Sequence, residues 1–282
     1  MHALHARLPK NFVLEERLER YADAIEPSPA RYAGRWAEAC HPLSPEGGLS
    51  RFDEVRLDMG CGKGAFTVEA ANREKNVLFV GIDFEPICIA YAAQKAVESK
   101  LDNVVFVPGV ADKLCSYFDA GEVSRIYLNF PTPFPRKKDA RGRLTHLDNL
   151  LRYRDVLADG GSVLLKTDSY PLWSFSKTQF ELAGYRVDWE STDARRDRPR
   201  DPISWYEERL SAQGATVFAT LATPAQEPVR EIDGTVAQTA SLSLVDYLPE
   251  DLSTMEYVPH GMQGTVTNLR NLEKKGNFNR HL

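Results

Sequence analysis

The chain has few of the features that would assign it quickly. Its four cysteines, Cys40, Cys61, Cys88 and Cys115, stand singly with no CxxC pair. A zinc site or disulfide framework is therefore not expected, no metal is expected, and a reduced cytoplasmic protein is the simplest reading. No apolar run approaches the ~18 residues a membrane span needs, so no membrane partner is expected. The opening MHALHARLPKNF lacks the apolar core of a signal peptide. There is no excess of positive charge. Thirty-five basic residues face forty acidic ones for a net charge of -5, which excludes a protein that coats nucleic acid over its whole surface. Neither an internal repeat nor a low-complexity tract is present.

What remains is an ordinary globular composition, 43% hydrophobic and 27% charged over 282 residues. From residue 53 short apolar runs alternate with helical patterns. VRLDMG (55–60), VLFVGID (77–83), VVFVPG (104–109), RIYLNFP (125–131) and SVLLKTD (162–168) read as five strands. Helices are expected over 64–73, 85–99, 111–119, 146–157 and 171–183. Such alternation predicts βαβ units and a parallel sheet. GYRVDWES (184–191) and ATVFATLA (215–222) extend it to seven strands. The division expected is a substrate-side segment over 1–50, a main domain over 51–223 and an appended segment over 224–282. The first holds two amphipathic pieces separated by Pro27-Ser28-Pro29. The last carries an apolar stripe at Leu242, Leu244, Val245 and Leu248 and is expected to be partly extended, lying on the main domain or loosely held.

The run Asp58-Met59-Gly60-Cys61-Gly62-Lys63-Gly64 falls where the first strand turns into the first helix. Glycines there permit positive φ and let a ligand approach bare backbone. In an open parallel sheet, ligands bind beyond the carboxyl ends of the strands. A dinucleotide would place its pyrophosphate on the helix N-terminus, and Gly60, Gly62 and Ala65 suit that. S-adenosylmethionine (SAM) has no phosphate and carries a sulfonium and an ammonium, which Asp58 suits. Asp83 ends the second strand, where a carboxylate spans a ribose diol. It indicates a nucleoside without choosing between NAD and SAM, and it would also serve as a helix N-cap.

The fourth strand runs into Asn129-Phe130-Pro131-Thr132-Pro133-Phe134-Pro135, a loop stiffened by three prolines. Arg136, Lys137, Lys138, Arg141 and Arg143 follow, with Asp139 as the one acid among them. A focused cationic patch beside a cofactor cleft suits a nucleic-acid backbone, although many such runs are only solvated surface. The run Arg195–Arg200 is interleaved with acid and carries less signal. Asp168 ends the fifth strand, and Ser204-Trp205-Tyr206-Glu207 precedes the last. A carboxylate over the cleft can accept both adjacent donors of a guanine edge, and Trp205 and Tyr206 can stack on a base or fill core.

Taken in order, LDMGCGKGAF, FVGID, RIYLNFPTPFPRKKDARGRLT, LLKTD and SWYEER resemble the bacterial tRNA (guanine-N7-)-methyltransferases, a class I SAM-dependent family. The resemblance spans roughly residues 7–223 and includes RYAGRW, with Arg31 and Arg35. It implies an α/β, Rossmann-like fold with a mostly parallel seven-stranded sheet and helices on both faces. It implies SAM as cofactor, tRNA as partner and a monomer or homodimer. Residues matching the family's cofactor site are Asp58, Gly60, Gly62, Gly64 and Asp83. Those matching its tRNA contacts are Arg136 (usually Lys), Asp168, Ser204, Trp205, Tyr206 and Glu207, with Lys137, Lys138 and Arg141 beside them. Two positions depart from the pattern. Thr132 stands where the family has an Asp assigned to catalysis and cofactor binding. Val110 stands where it has an acid after the third strand, and Asp112, two residues on, is the substitute to be tested. The segment 224–282 is not part of the pattern. The competing readings are a methyltransferase of the same fold acting on another RNA, and a non-enzymatic RNA- or SAM-binding relative. A NAD oxidoreductase would explain the glycines but not the basic run.

Overall fold

The computed structural model describes residues 12–44, 50–203, 205–229 and 233–275, with the side chain of Trp205 excepted. Seven strands form one sheet: β1 (Glu54–Met59), β2 (Val77–Asp83), β3 (Val104–Pro108), β4 (Val123–Asn129), β5 (Leu157–Thr167), β6 (Tyr185–Ser191) and β7 (Phe218–Pro224). Their spatial order is β3-β2-β1-β4-β5-β7-β6. The first five are parallel, and β7 runs antiparallel to both neighbours. This is the mostly parallel, Rossmann-like arrangement expected. The order reverses between β1 and β4, which opens a crevice at their carboxyl ends.

Period-two alternation along the strands divides the interior. Leu57 and Met59 of β1 face one core with Val80, Ile126, Leu128, Val163 and Leu165. Phe79, Phe106 and Tyr127 face a second core under the helices Ala65–Arg73 and Pro86–Glu98. The central strands are buried on both faces, so they read as continuous apolar runs rather than alternating ones.

Several boundaries shift for identifiable reasons. β4 stops at Asn129 because Phe130 turns to φ 51°. The helix expected over 111–119 is a single 3₁₀ turn, Ala111–Lys113, followed by Leu114–Tyr117. Phe118 leaves it extended so that its ring can stack on Trp36 at 5.0 Å. The opening segment is stitched to the sheet edge: Ile25 bridges Phe106, and fully buried Trp36 donates its indole N–H to the Tyr117 carbonyl at 2.7 Å.

The described residues of the appended segment are helical and turned rather than extended, with helices Gly234–Ala240 and Gln263–Lys274. Leu244, Leu248, Leu252, Met262 and Val266 form a third core with Leu172 and Phe175 of the helix Tyr170–Leu182. The apolar stripe read from the sequence is thus the face that docks on the main domain.

Candidate active site

Gly60, Gly62 and Gly64 all take positive φ, at 72°, 53° and 68°. Two of them are required for different reasons. A Cβ on Gly64 would lie 2.7 Å from Ala92 Cβ and 2.8 Å from Phe106 Cζ, so only glycine lets the turn pack on the helix Pro86–Glu98. A Cβ on Gly62 would meet nothing within 4 Å. That face of the turn is bare backbone fronting open space, which is the cradle a nucleoside cofactor needs.

Two carboxylates support this turn. Asp83 accepts the Gly62 N–H on Oδ2 and the Glu85 N–H on Oδ1, both at 2.9 Å, and burial raises its pKa. Asp58 is buried beneath, accepting from Thr67 Oγ1 at 2.6 Å and Asn129 Nδ2 at 3.2 Å. It ties β1 to the following helix and to the end of β4, and burial pushes its pKa up to about 6. The Gly62 N–H is already committed to a carboxylate, and a second acid lies below. A pyrophosphate would meet negative charge here; a sulfonium or ammonium would be stabilised. The arrangement fits SAM and not NAD.

The loop after β4 forms the opposite wall. Phe130 and Phe134 hold φ of 51° and 45°, a conformation that costs a non-glycine residue roughly 1–2 kcal/mol. The Phe130 N–H is fixed on the Lys166 carbonyl at 2.7 Å. Fully buried Arg143 donates to the carbonyls of Pro133 (3.2 Å), Phe134 (2.8 Å) and Leu242 (2.8 Å), and its guanidinium lies 4.3 Å from the Phe175 ring centre. Arg143 is therefore removed from the cationic surface run and is instead the clamp of this loop. Arg136 pairs with Asp139 at 2.6 Å. Lys137, Lys138 and Arg141 are exposed, as is Thr132 on the loop between Pro131 and buried Pro133.

The remaining sequence-predicted residues are placed as follows. Val110 is exposed just beyond β3. Asp112 turns to Arg152 of the helix Leu147–Val156, at 3.1 Å. Asp168 is buried at the end of β5, and its Oδ2 accepts the Tyr257 hydroxyl and the His260 N–H, each at 2.8 Å. Buried Glu207 is paired with Arg195, whose Nη1 also donates to the Asp201 carbonyl at 3.1 Å. Tyr206 meets Phe130 edge-on at 5.6 Å, and its hydroxyl pKa is raised by burial. Ser204 and the Trp205 side chain lie outside the described residues. Among the described residues no His/Cys/Asp/Glu group could hold a metal, and no helix is long and apolar enough to cross a membrane.

Sequence reasoning missed the roles of four residues. Arg195 was visible only as part of an acid-interleaved run. The burial of Arg143 had no sequence signal, because its acceptors are backbone carbonyls. Tyr257 and His260 lie some ninety positions beyond Asp168, outside every recognised motif.

A family model described as "Putative methyltransferase" matches residues 53–220. A tRNA (guanine-N(7)-)-methyltransferase of Geobacillus thermodenitrificans (strain NG80-2) is 34% identical over 209 residues, covering 72% of this chain and 91% of its own. The protein of that name in Bacillus subtilis (strain 168) is 31% identical over 205 residues, covering 72% and 92%. A solved antibiotic-related methyltransferase superposes with a TM-score of 0.49 at 21% identity, over 62% of this chain and 89% of that one.

Proposed function

The chain belongs to the methyltransferase family matched over residues 53–220, and on that premise we propose that it transfers the methyl group of S-adenosylmethionine to N7 of a guanine in tRNA, in the cytoplasm. The observation that carries this reading is the open Gly62 face flanked by the Asp83 carboxylate and backed by buried Asp58. The relatives named tRNA (guanine-N(7)-)-methyltransferase supply the substrate class.

SAM supplies an electrophilic methyl on a cationic sulfur. The residues that would hold it are the glycine turn, Asp83 on the ribose hydroxyls and Asp58 as the negative charge beneath. Val110 and Asp112 lie where the third strand ends, and Asp112 is already engaged by Arg152. Asp168 keeps Oδ1 without a donor among the described residues, which suits the adjacent N–H donors of a guanine edge. Lys137, Lys138 and Arg141 would meet tRNA phosphates, with Arg136 beside them.

The chemistry tolerates Thr132 in place of an acid. N7 attacks with an in-plane lone pair and has no proton to lose, so a general base, worth ~10²–10⁴-fold where a proton moves, has nothing to do. The enzyme must place N7 in line with the methyl, and positioning can supply ~7–11 kcal/mol. The rigid Phe130–Phe134 loop is built for placement. Thr132→Asp should add a charge favourable to the sulfonium and raise activity.

Mapping of modified nucleosides in tRNA from a strain lacking the gene tests the reading. It predicts loss of 7-methylguanosine from the variable loop, restored by the wild-type chain. An unchanged 7-methylguanosine map, with another RNA modification lost, would overturn it.

A further inference from the structure

The appended segment reaches the carboxylate on which guanine recognition would depend. The Tyr257 hydroxyl and the His260 N–H converge on one oxygen of Asp168, Oδ2, at 2.8 Å each. One residue later Gly261 takes φ 82°, and a Cβ there would lie 2.9 Å from Pro133 Cδ. The turn therefore presses on the loop that carries Thr132. The exposed His260 ring meets Tyr206 edge-on at 5.5 Å, and Tyr206 in turn meets Phe130.

This contact is anchored from several sides. Leu244 N–H and Ser243 Oγ both reach the Pro135 carbonyl, at 2.9 and 3.2 Å. Buried Arg143 binds the Leu242 carbonyl, and Arg270 holds the carbonyls of Leu252 and Met255 at 2.7 and 3.2 Å. Met262 is buried in the third core, where its sulfur receives the Ser169 hydroxyl at 3.4 Å. A segment pinned by a core shared with the helix Tyr170–Leu182 is a fixed wall rather than a lid. It leaves Thr132 exposed while occupying Oδ2 of Asp168.

We propose that the turn 257–262 is the back wall of the guanine pocket, and that Tyr257 is a positioning residue for the methyl transfer. A carboxylate gripped at one oxygen by two donors cannot rotate about its terminal bond. Its other oxygen is then aimed, and a base arriving there meets an acceptor already oriented. Guanine offers N1–H and the exocyclic amine side by side; inosine keeps only N1–H. The inference rests on the reading that Asp168 receives the target guanine in tRNA.

The test is steady-state methyl transfer by the full-length chain, from labelled SAM to tRNA transcripts carrying guanine or inosine at the target position. Wild type, Tyr257→Phe, Asp168→Ala and the double variant are compared. Tyr257→Phe removes one hydrogen bond to a charged group while keeping the ring. It should lower kcat/KM on guanine by about tenfold, the scale of one such bond, mainly through KM for tRNA. The preference for guanine over inosine should shrink with it. Melting temperature and SAM affinity should stay at the wild-type values. In the Asp168→Ala background, which removes the acceptor altogether, the same change should cost no more than about twofold, because its target is gone. A Tyr257→Phe protein with an unchanged guanine preference overturns the inference, as does an equal loss in the Asp168→Ala background. Faster transfer by Tyr257→Phe also overturns it, since Tyr257 would then be competing with the base. If wild type methylates no guanine N7 in tRNA, the proposed function itself falls and takes the inference with it.

Discussion

Asp58 lies beneath the glycine turn out of contact with water, held by Thr67 and Asn129. Burial lifts its pKa from the ordinary carboxylate value to about 6, the two hydrogen bonds opposing and the Asp83 charge adding a little. The raised value fixes the sign of its pH dependence. The folded state holds this proton at a higher pH than the unfolded chain does. Below about pH 4 both states are protonated. As pH rises from there through about 6, the folded state must ionise a buried acid, and stability falls by something on the order of 1–3 kcal/mol. SAM affinity should move oppositely, weakening below about pH 6 as the negative charge beneath the glycine turn is lost. Asp58→Asn should flatten both trends. It should leave the fold at pH 7 at least as stable as wild type, yet bind SAM more weakly than wild type. Paired denaturation curves and calorimetric titrations at pH 5 and 7.5 check this; a steeper pH dependence in the variant would contradict it. The position of Asp58 was legible because an acid two residues before the first glycine of such a turn has few other uses. Its burial was not, since sequence marks a carboxylate without saying which side of the strand end it faces.

Among the elements, strands were the most legible and the loops between them the least. β1 to β5 announce themselves as apolar runs because both faces are covered. The loop after β4 was read as rigid from its prolines, but the prolines are only half of its construction. Of its two left-handed phenylalanines, Phe134 is held by a buried arginine nine positions on and Phe130 by the Lys166 carbonyl, and the same guanidinium binds the appended segment. In the sequence Arg143 is indistinguishable from Lys137 or Arg141, because a charge run carries no information about burial. Arg143→Leu keeps much of the bulk and removes the donors to three carbonyls. It should destabilise the fold by about 2–4 kcal/mol, the range for several lost hydrogen bonds to a charged group in a buried site. It should also lower methyl transfer more than it lowers SAM binding. Urea unfolding beside calorimetry measures both; stability within about 0.5 kcal/mol of wild type would show that the loop holds its shape without the clamp. The appended segment was readable only as an apolar stripe. Its contacts with Asp168 span about ninety positions, and no local pattern encodes a partner that distant.

At the scale of the whole molecule, a chain of net charge -5 must bind a polyanion through a local surface. Of the cations after β4, the structure buries Arg143 and pairs Arg136 with Asp139, leaving Lys137, Lys138 and Arg141 exposed beside the site. Replacing these three with Gln should weaken tRNA binding and reduce the slope of log affinity against log salt by about 2–3, close to one phosphate contact each. SAM affinity should not change. An unaltered salt slope would mean that tRNA lands elsewhere. The same open Gly62 face, the same loop and the same patch converge on one event. The most direct test is therefore transfer itself: purified full-length chain, unmodified tRNA transcript and labelled SAM, followed by digestion to nucleosides. The account predicts that the label appears as 7-methylguanosine from the variable loop, with Thr132 in place and no added metal. Protein that binds both SAM and tRNA yet leaves every guanine N7 unmethylated would contradict it.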